Sequence, residues 1–269
     1  MTEPDAFRIL DEAFSLGIRA FDTAEAYGLS AGRLRAWIDR RGHADLLEVI
    51  TKCTVDSAAK SPRALGENAE KALSRFAGIA WLTVLSHGAV GAHVWPALLE
   101  TALRRNAMAG QSVYSQDQVS AACGLPGTGI VQAPGNVLDQ RAIRARGDSL
   151  VRLDSRSVYL QGLLLDDQER AEQRVPGSAR ISASVQRAAA ALGTAAAPLL
   201  VASMLRVIEP GDRLVIGVDD ASELDVLPQA FEIADETVAQ FQQTIAQLSG
   251  DPALDLLLDP RRWPTERTV

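Results

Sequence analysis

Four side chains in the first third of the sequence have types and spacing that could hold and move a proton: Asp22, Tyr27, Lys52 and His87, a carboxylate, a phenol, an ammonium and an imidazole. Three of them close short apolar runs. Asp22 ends IRAFD, Lys52 ends EVITK and His87 ends LTVLSH, while Tyr27 stands in the loop just after Asp22. Each alone has a plainer reading: an Asp before Thr often caps a turn, a strand-end Lys is usually solvated, and a single His is more often structural than reactive. Together the balance reverses, because equivalent positions on successive strand–helix units of a barrel would aim four complementary groups at one opening.

The elements that would position them can be traced along the chain. The runs IRAFDT, LEVITK, WLTVLSH, GQSVYS, GIVQAP, SVYLQGLLL and RLVIGV are short, rich in branched apolar residues, and alternate with longer helical patterns, as parallel strands covered by helices should. The chain opens on a helix, with Thr2 as N-cap, Phe7, Leu10, Ala13 and Phe14 at helical spacing, and Gly17 as terminator. Further helices are predicted over 62–76, with Ser61 as N-cap, and over 95–105, 178–192 and 235–248. Seven such strands fit either an open doubly wound sheet or a closed TIM (β/α)8-type barrel. The sheet would carry a Gly-rich phosphate turn after its first strand, and GxGxxG is absent. The expectation is therefore a single barrel domain over residues 1–269. Its first strand is missing from the chain, which starts in the helix that should follow that strand.

Composition bounds the partners. The chain has 269 residues, 47% hydrophobic and 23% charged, enough to bury a full core, and its net charge of −7 disfavours nucleic acid. No signal peptide is visible in MTEPDAFRILDEAF, and no apolar stretch approaches the ~18–20 residues of a membrane helix. A cytoplasmic address and small-molecule partners are expected, with no membrane contact. The two cysteines, Cys53 and Cys123, lie far apart without ligand-spaced partners, so neither a disulfide nor a metal site is indicated.

The segment GIRAFDTAEAYGLS resembles the signature of the aldo-keto reductase family, an apolar strand entering Asp-Thr-Ala and then Tyr-Gly. EVITK and LTVLSH resemble that family's lysine and histidine strands. The likeness continues through QSVYS, IVQAPGNVLDQR, SVYLQGLLL and VIGVDDASEL, and so spans about 7–227. It implies a TIM barrel that reduces an aldehyde or ketone with NAD or NADP, and it places a catalytic tetrad on Asp22, Tyr27, Lys52 and His87. In that chemistry the carbonyl oxygen gains negative charge as the carbon accepts hydride, and Tyr27 would protonate it. A free phenol has a pKa of about 10, so the Lys52 ammonium would ease proton release, with Asp22 holding Lys52 and His87 orienting the carbonyl.

For the cofactor, the resemblance implies Ser112 and Gln132 at the nicotinamide carboxamide, Asn136 at a nearby polar position, and Gly217, Asp219, Asp220 and Glu223 in the turn that grips the adenosine end. Tyr159 is read equally as the ring stacked on nicotinamide or as a core aromatic. The chain departs from the family in three places: Val113 stands where Asn commonly follows the serine, Ala31 stands where Glu commonly follows Ser30, and the adenosine turn GVDDASELDV is acidic. Carboxylates there would repel a 2′-phosphate and accept from a ribose hydroxyl, which favours NAD, although Asp219 or Asp220 capping a helix is an equal reading. The missing strand is read as truncation or lineage-specific loss in preference to replacement by another segment, and the open edge it would leave could be covered by a partner chain or a second copy. The tail LDLLLDPRRWP could cover that edge, but reads rather as a final helical turn. The loop after His87 offers Trp95 as a substrate wall or as the start of a helix. A small polar, sugar-derived carbonyl is the expected substrate. The alternatives are a non-catalytic barrel acting as a binding or regulatory subunit, and a barrel lyase or isomerase without redox chemistry.

Overall fold

Thr2 begins the ordered structure as the sequence predicts. Its hydroxyl accepts from the Asp5 amide and the Asp5 carboxylate accepts from the Thr2 amide, a reciprocal cap on the helix Glu3–Ser15. Gly17 then turns the chain at φ 88°, a conformation open to glycine at no steric cost. The computed structural model describes residues 1–55 and 61–264.

Seven strands follow: β1 Ala20–Asp22, β2 Glu48–Thr54, β3 Trp81–His87, β4 Ala107–Ser112, β5 Ile130–Pro134, β6 Arg152–Arg156 and β7 Arg213–Val215. Their order in the sheet is their order in the chain, with helical segments between successive strands. A doubly wound sheet would reverse strand order at a switch point, and no reversal occurs here. The fold is of the TIM-barrel type. β1 through β5 pair in parallel, each with the next.

The chain packs as two compact units. The first comprises Met1–Ala133, Ala145–Asp154 and Val218–Leu224. Register sets its inner face: Thr54, His87, Ser112 and Gln132 stand level across β2 to β5. Because side chains alternate along a strand, Lys52, Ile50 and Glu48 share one face of β2. Below the level row, Ile50, Leu85 and Ile130 pack together with Ala20. Gly110 completes this layer without a side chain, since a Cβ there would collide with the Ile130 carbonyl and lie 2.6 Å from Leu85 Cδ2. Lower still, Arg152 bridges Glu48 at 3.0 Å and Asp154 at 2.9 Å. Outside, Asp11 ties the first helix to the helix Ser30–Arg41 by accepting from Trp37 Nε1 at 2.8 Å and from both Arg41 nitrogens at 2.9 and 2.6 Å. Ser61 caps the helix Pro62–Ser74.

The second unit comprises Pro134–Arg144, Ser155–Gly217 and Asp225–Val269, and its core joins Leu164, Ile181, Val185, Leu199 and Phe241. Here the structure corrects one reading: SVYLQGLLL is not a strand. The strand is the preceding RLDSR, and the run that follows coils through positive φ at Ser157 (66°), Leu160 (50°), Gln161 (54°) and Gly162 (84°) into the short helical turn Leu163–Leu165. Those angles lie outside the extended region, and the apolar side chains of the run pack into a helical core rather than a sheet. A smaller correction applies to GQSVYS, where the strand ends at Ser112 and Ser115 caps the helix Gln116–Cys123. The tail run LDLLL forms the helical turn Leu254–Leu257, whose Leu254 and Leu257 are buried in this same core. No single helix among the described residues is long and apolar enough to cross a membrane.

Candidate active site

β1 delivers Asp22 and β2 delivers Lys52, two residues beyond the Ile50 that pairs with Asp22, and the Lys52 ammonium reaches Asp22 Oδ1 and also donates to the Thr23 carbonyl at 3.3 Å. Lys52 is 1% exposed, so the carboxylate offsets a charge that would otherwise be buried at a cost of several kcal/mol. The other Asp22 oxygen accepts from Gln132 Nε2 at 2.8 Å, and Gln132 Oε1 accepts from the Ser112 hydroxyl at 3.2 Å. Ser112, Gln132, Asp22 and Lys52 thus form one continuous hydrogen-bonded row.

Tyr27 lies over this row. Lys52 Nζ sits 5.1 Å from the centre of its ring, and the His87 imidazole meets the ring edge-on, with centroids 5.7 Å apart and planes at 87°. The tyrosine remains 46% exposed, open to solvent on one side. Its loop is held by sheet-like bonds that continue past β1, from the Thr23 amide to the Ile50 carbonyl at 2.8 Å and from the Glu25 amide to the Lys52 carbonyl at 3.2 Å. Gly28 then turns at φ 57°, and the Thr23 and Ser30 hydroxyls close the loop at 3.1 Å. Glu25 anchors it outward to Arg75 at 3.0 Å. No sequence pattern signals this anchor, because Arg75 lies fifty positions away and shares no periodicity with Glu25.

All four members of the proposed tetrad therefore meet at one place, with Ser112 and Gln132 beside them. Such a site can present an ammonium and an imidazole around a phenol, the arrangement needed to give a proton to an oxygen that is gaining negative charge. Val113, just beyond, is fully buried and donates its amide to the Gln132 carbonyl at 2.8 Å. Trp95 is not a wall of an open loop. It begins the helix Trp95–Arg104, is buried, and donates its indole N–H to the Pro126 carbonyl at 2.8 Å.

The acidic turn also belongs to the first unit. Glu223 accepts from the Asp219 amide at 2.8 Å, and Asp220 accepts from the Ser222 hydroxyl at 2.7 Å and amide at 2.9 Å. The Ser222 hydroxyl, then its amide, hold the Asp220 carboxyl below the usual range. Asp220 thus has the capping geometry that the sequence offered as one of its two readings. Asn136, Tyr159 and Gly217 fall in the second unit. Asn136 is buried and shapes its own turn, its side-chain oxygen accepting from the Leu138 amide at 3.0 Å. Tyr159 sits in the coil after β6, partly buried against the helical core, and Gly217 follows β7 by two residues. Among the described residues no group of three His, Cys, Asp or Glu side chains could hold a metal ion.

Residues 1–87 match the sequence model of the Aldo/keto reductase family, a span that contains Asp22, Tyr27, Lys52 and His87. The chain resembles that family over its first third. Solved structures agree on the fold. The chain is similar to a glycerol dehydrogenase from Gluconobacter oxydans, with a TM-score of 0.72 at 14% identity over 91% of this chain and 86% of that one. It is similar to an aldo-keto reductase from Klebsiella pneumoniae in complex with NADPH, at 0.68 and 17% over 90% and 84%. It is likewise similar to a holo-form aldo-keto reductase from Bacillus halodurans, at 0.67 and 16% over 90% and 88%. Comparison with curated proteins finds no match.

Proposed function

We propose that this chain is an aldo-keto reductase, reducing an aldehyde or ketone to an alcohol with a reduced nicotinamide dinucleotide and using Tyr27 as proton donor. The observation that carries the reading is the buried Lys52 ammonium, held by Asp22 on one side and facing the Tyr27 ring on the other. When bound, the dihydronicotinamide supplies the hydride to the carbonyl carbon. The Tyr27 hydroxyl gives its proton to the carbonyl oxygen, Lys52 stabilises the phenolate left behind, and solvent at the exposed side of the ring restores the proton. His87, edge-on to Tyr27, orients the carbonyl oxygen, and Asp22 keeps Lys52 charged and in place.

The residues around the tetrad fit the cofactor's amide end. Ser112 and Gln132 are buried, polar and level with His87, and the Gln132 amide retains a second N–H and a second lone pair with which to meet a carboxamide. Cofactor roles for Asn136 and Gly217, and for Tyr159 as one of its two equal readings, rest on the family resemblance alone. At the adenosine end, Asp219, Asp220 and Glu223 suit a ribose hydroxyl better than a 2′-phosphate, so NAD is favoured over NADP. The substrate class we favour is a small polar, sugar-derived carbonyl.

Fluorescence titration with NADH and NADPH tests the cofactor reading, and NADPH binding as tight as NADH or tighter overturns the preference. Turnover of a carbonyl panel, abolished in Tyr27→Phe, tests the chemistry; undiminished turnover in that variant removes Tyr27 as the acid. A second reading, a barrel that binds or regulates without catalysis, draws on buried Val113 and on the engagement of Gln132 with Asp22. It predicts a folded chain that binds neither dinucleotide.

A further inference from the structure

We propose that Gln111 is a positioning residue for His87, clamping through its side-chain amide the loop that leaves β3. This rests on the reading of His87 as the group that orients the carbonyl. Gln111 precedes Ser112 on β4, and adjacent strand residues face opposite sides, so Ser112 points inward while Gln111 points to the helical layer. Gln111 is 1% exposed. Its Oε1 accepts from the Val90 amide at 2.9 Å, and its Nε2 donates to the Val90 carbonyl across a longer 3.5 Å. One planar amide thereby serves both polar groups of a single loop residue, as a neighbouring strand would.

The clamp acts at short range. Between His87 and Val90 the chain turns at Gly88, φ 139°, whose carbonyl accepts from the Ser86 hydroxyl at 2.7 Å. His87 closes β3, and the tight turn that leaves it is fixed at its far end by Gln111. Packing does not replace the clamp, because an open groove of about 370 Å³ lies beside the loop, lined by Val90, Gly91, Gln111, Asp117, Gln118 and Ala121 among others. Without the amide the loop can shift into that space, and the edge-on contact of His87 with Tyr27 goes with it.

The chain has three histidines, His43, His87 and His93, so imidazole NMR correlations of the protein without cofactor read the proposal directly. In Gln111→Met, the His87 correlation is expected to leave the field of the Tyr27 ring. His43, stacked on Phe14 at 4.0 Å, should stay in place as a control for folding. His93, on the clamped loop, should move with His87. Activity toward a carbonyl should fall by up to about 100-fold, the scale of a small misplacement of a reacting group, while dinucleotide affinity is unchanged. An unmoved His87 in the folded variant overturns the proposal. Should Gln111→Met fail to fold, Gln111→Glu keeps the acceptor and loses the donor, and a smaller shift of His87 in the same direction is expected; none overturns the clamp. In the wild-type chain, a Val90 amide that exchanges with solvent as fast as that of Gly91 overturns it too. These readings need no turnover, so they stand apart from a wild-type chain that proves inactive on every carbonyl, which would sink the function instead.

Discussion

Gln132 donates its amide to the one oxygen of Asp22 that Lys52 leaves open, at 2.8 Å. Both carboxylate oxygens are therefore engaged by the chain itself, one by an ammonium and one by a neutral amide that in turn accepts from Ser112. Gln132→Leu should loosen Asp22 and lower kcat by about 10-fold, the worth of one hydrogen bond to a charged group. Gln132→Glu should cost more, by setting a second carboxylate against the first. Steady-state kinetics of the two variants check the order, and a leucine variant slower than the glutamate one contradicts it.

Asp22→Asn should damage the fold as well as the site. It leaves the buried Lys52 ammonium without its counter-ion, a loss of about 3–5 kcal/mol in comparable buried pairs. In that variant burial disfavours the charged amine, so the unfolded chain binds more protons than the folded one, and stability should recover as pH rises. Urea unfolding across pH measures this; a deficit that does not shrink at high pH speaks against a stranded ammonium.

The first helix should be sensitive to acid through Asp11. Burial works to raise its pKa, but the hydrogen bonds from Arg41 and Trp37 outweigh it and hold the carboxyl below its ordinary value. A depressed pKa contributes stability that is complete above the unfolded value, about 3.9, and is lost as pH falls through the folded one. Asp11→Asn should therefore cost about 1 kcal/mol at neutral pH, discounted for the partial exposure of the Arg41 pair, and progressively less in acid. Thermal melts at neutral pH and at pH about 3 distinguish this from a deficit independent of pH.

Cys53 should be silent toward thiol reagents. Burial pushes its thiol up to about 12, so at mildly alkaline pH it is neither ionised nor reachable. Burial also raises the pKa of Cys123, which is only partly covered and should account for all slow labelling of the native protein. Cys53→Ala should leave native labelling unchanged and remove one of two thiols titrated in denaturant. Fast native labelling lost in Cys53→Ala would contradict the burial.

Much of the site was legible because its residue types close strands. Asp22, Lys52 and His87 each end an apolar run, and parallel pairing sets such ends on neighbouring strands, each two residues further along than the last, whatever the intervening helices. The Thr2 cap and the Ser61 cap were legible for a similar reason, since each is satisfied by an amide three residues away. Contacts between distant side chains were not. Gln111 with Val90, Glu25 with Arg75 and Arg152 with Glu48 join residues that no periodicity relates. The run SVYLQGLLL misled because branched apolar residues fill a helical core as well as a strand, and only the backbone angles at Leu160, Gln161 and Gly162 separate the two.

Gly110 gives the barrel a gauge. With no atom beyond its Cα, β4 lies against β5 closely enough for Ile130 and Leu85 to meet where a methyl group would stand. A methyl there would act as a wedge, prising β4 from β5 two residues beneath Ser112 and Gln132. The width of the opening in which those two side chains reach each other is thus inherited from a position that contributes no side chain.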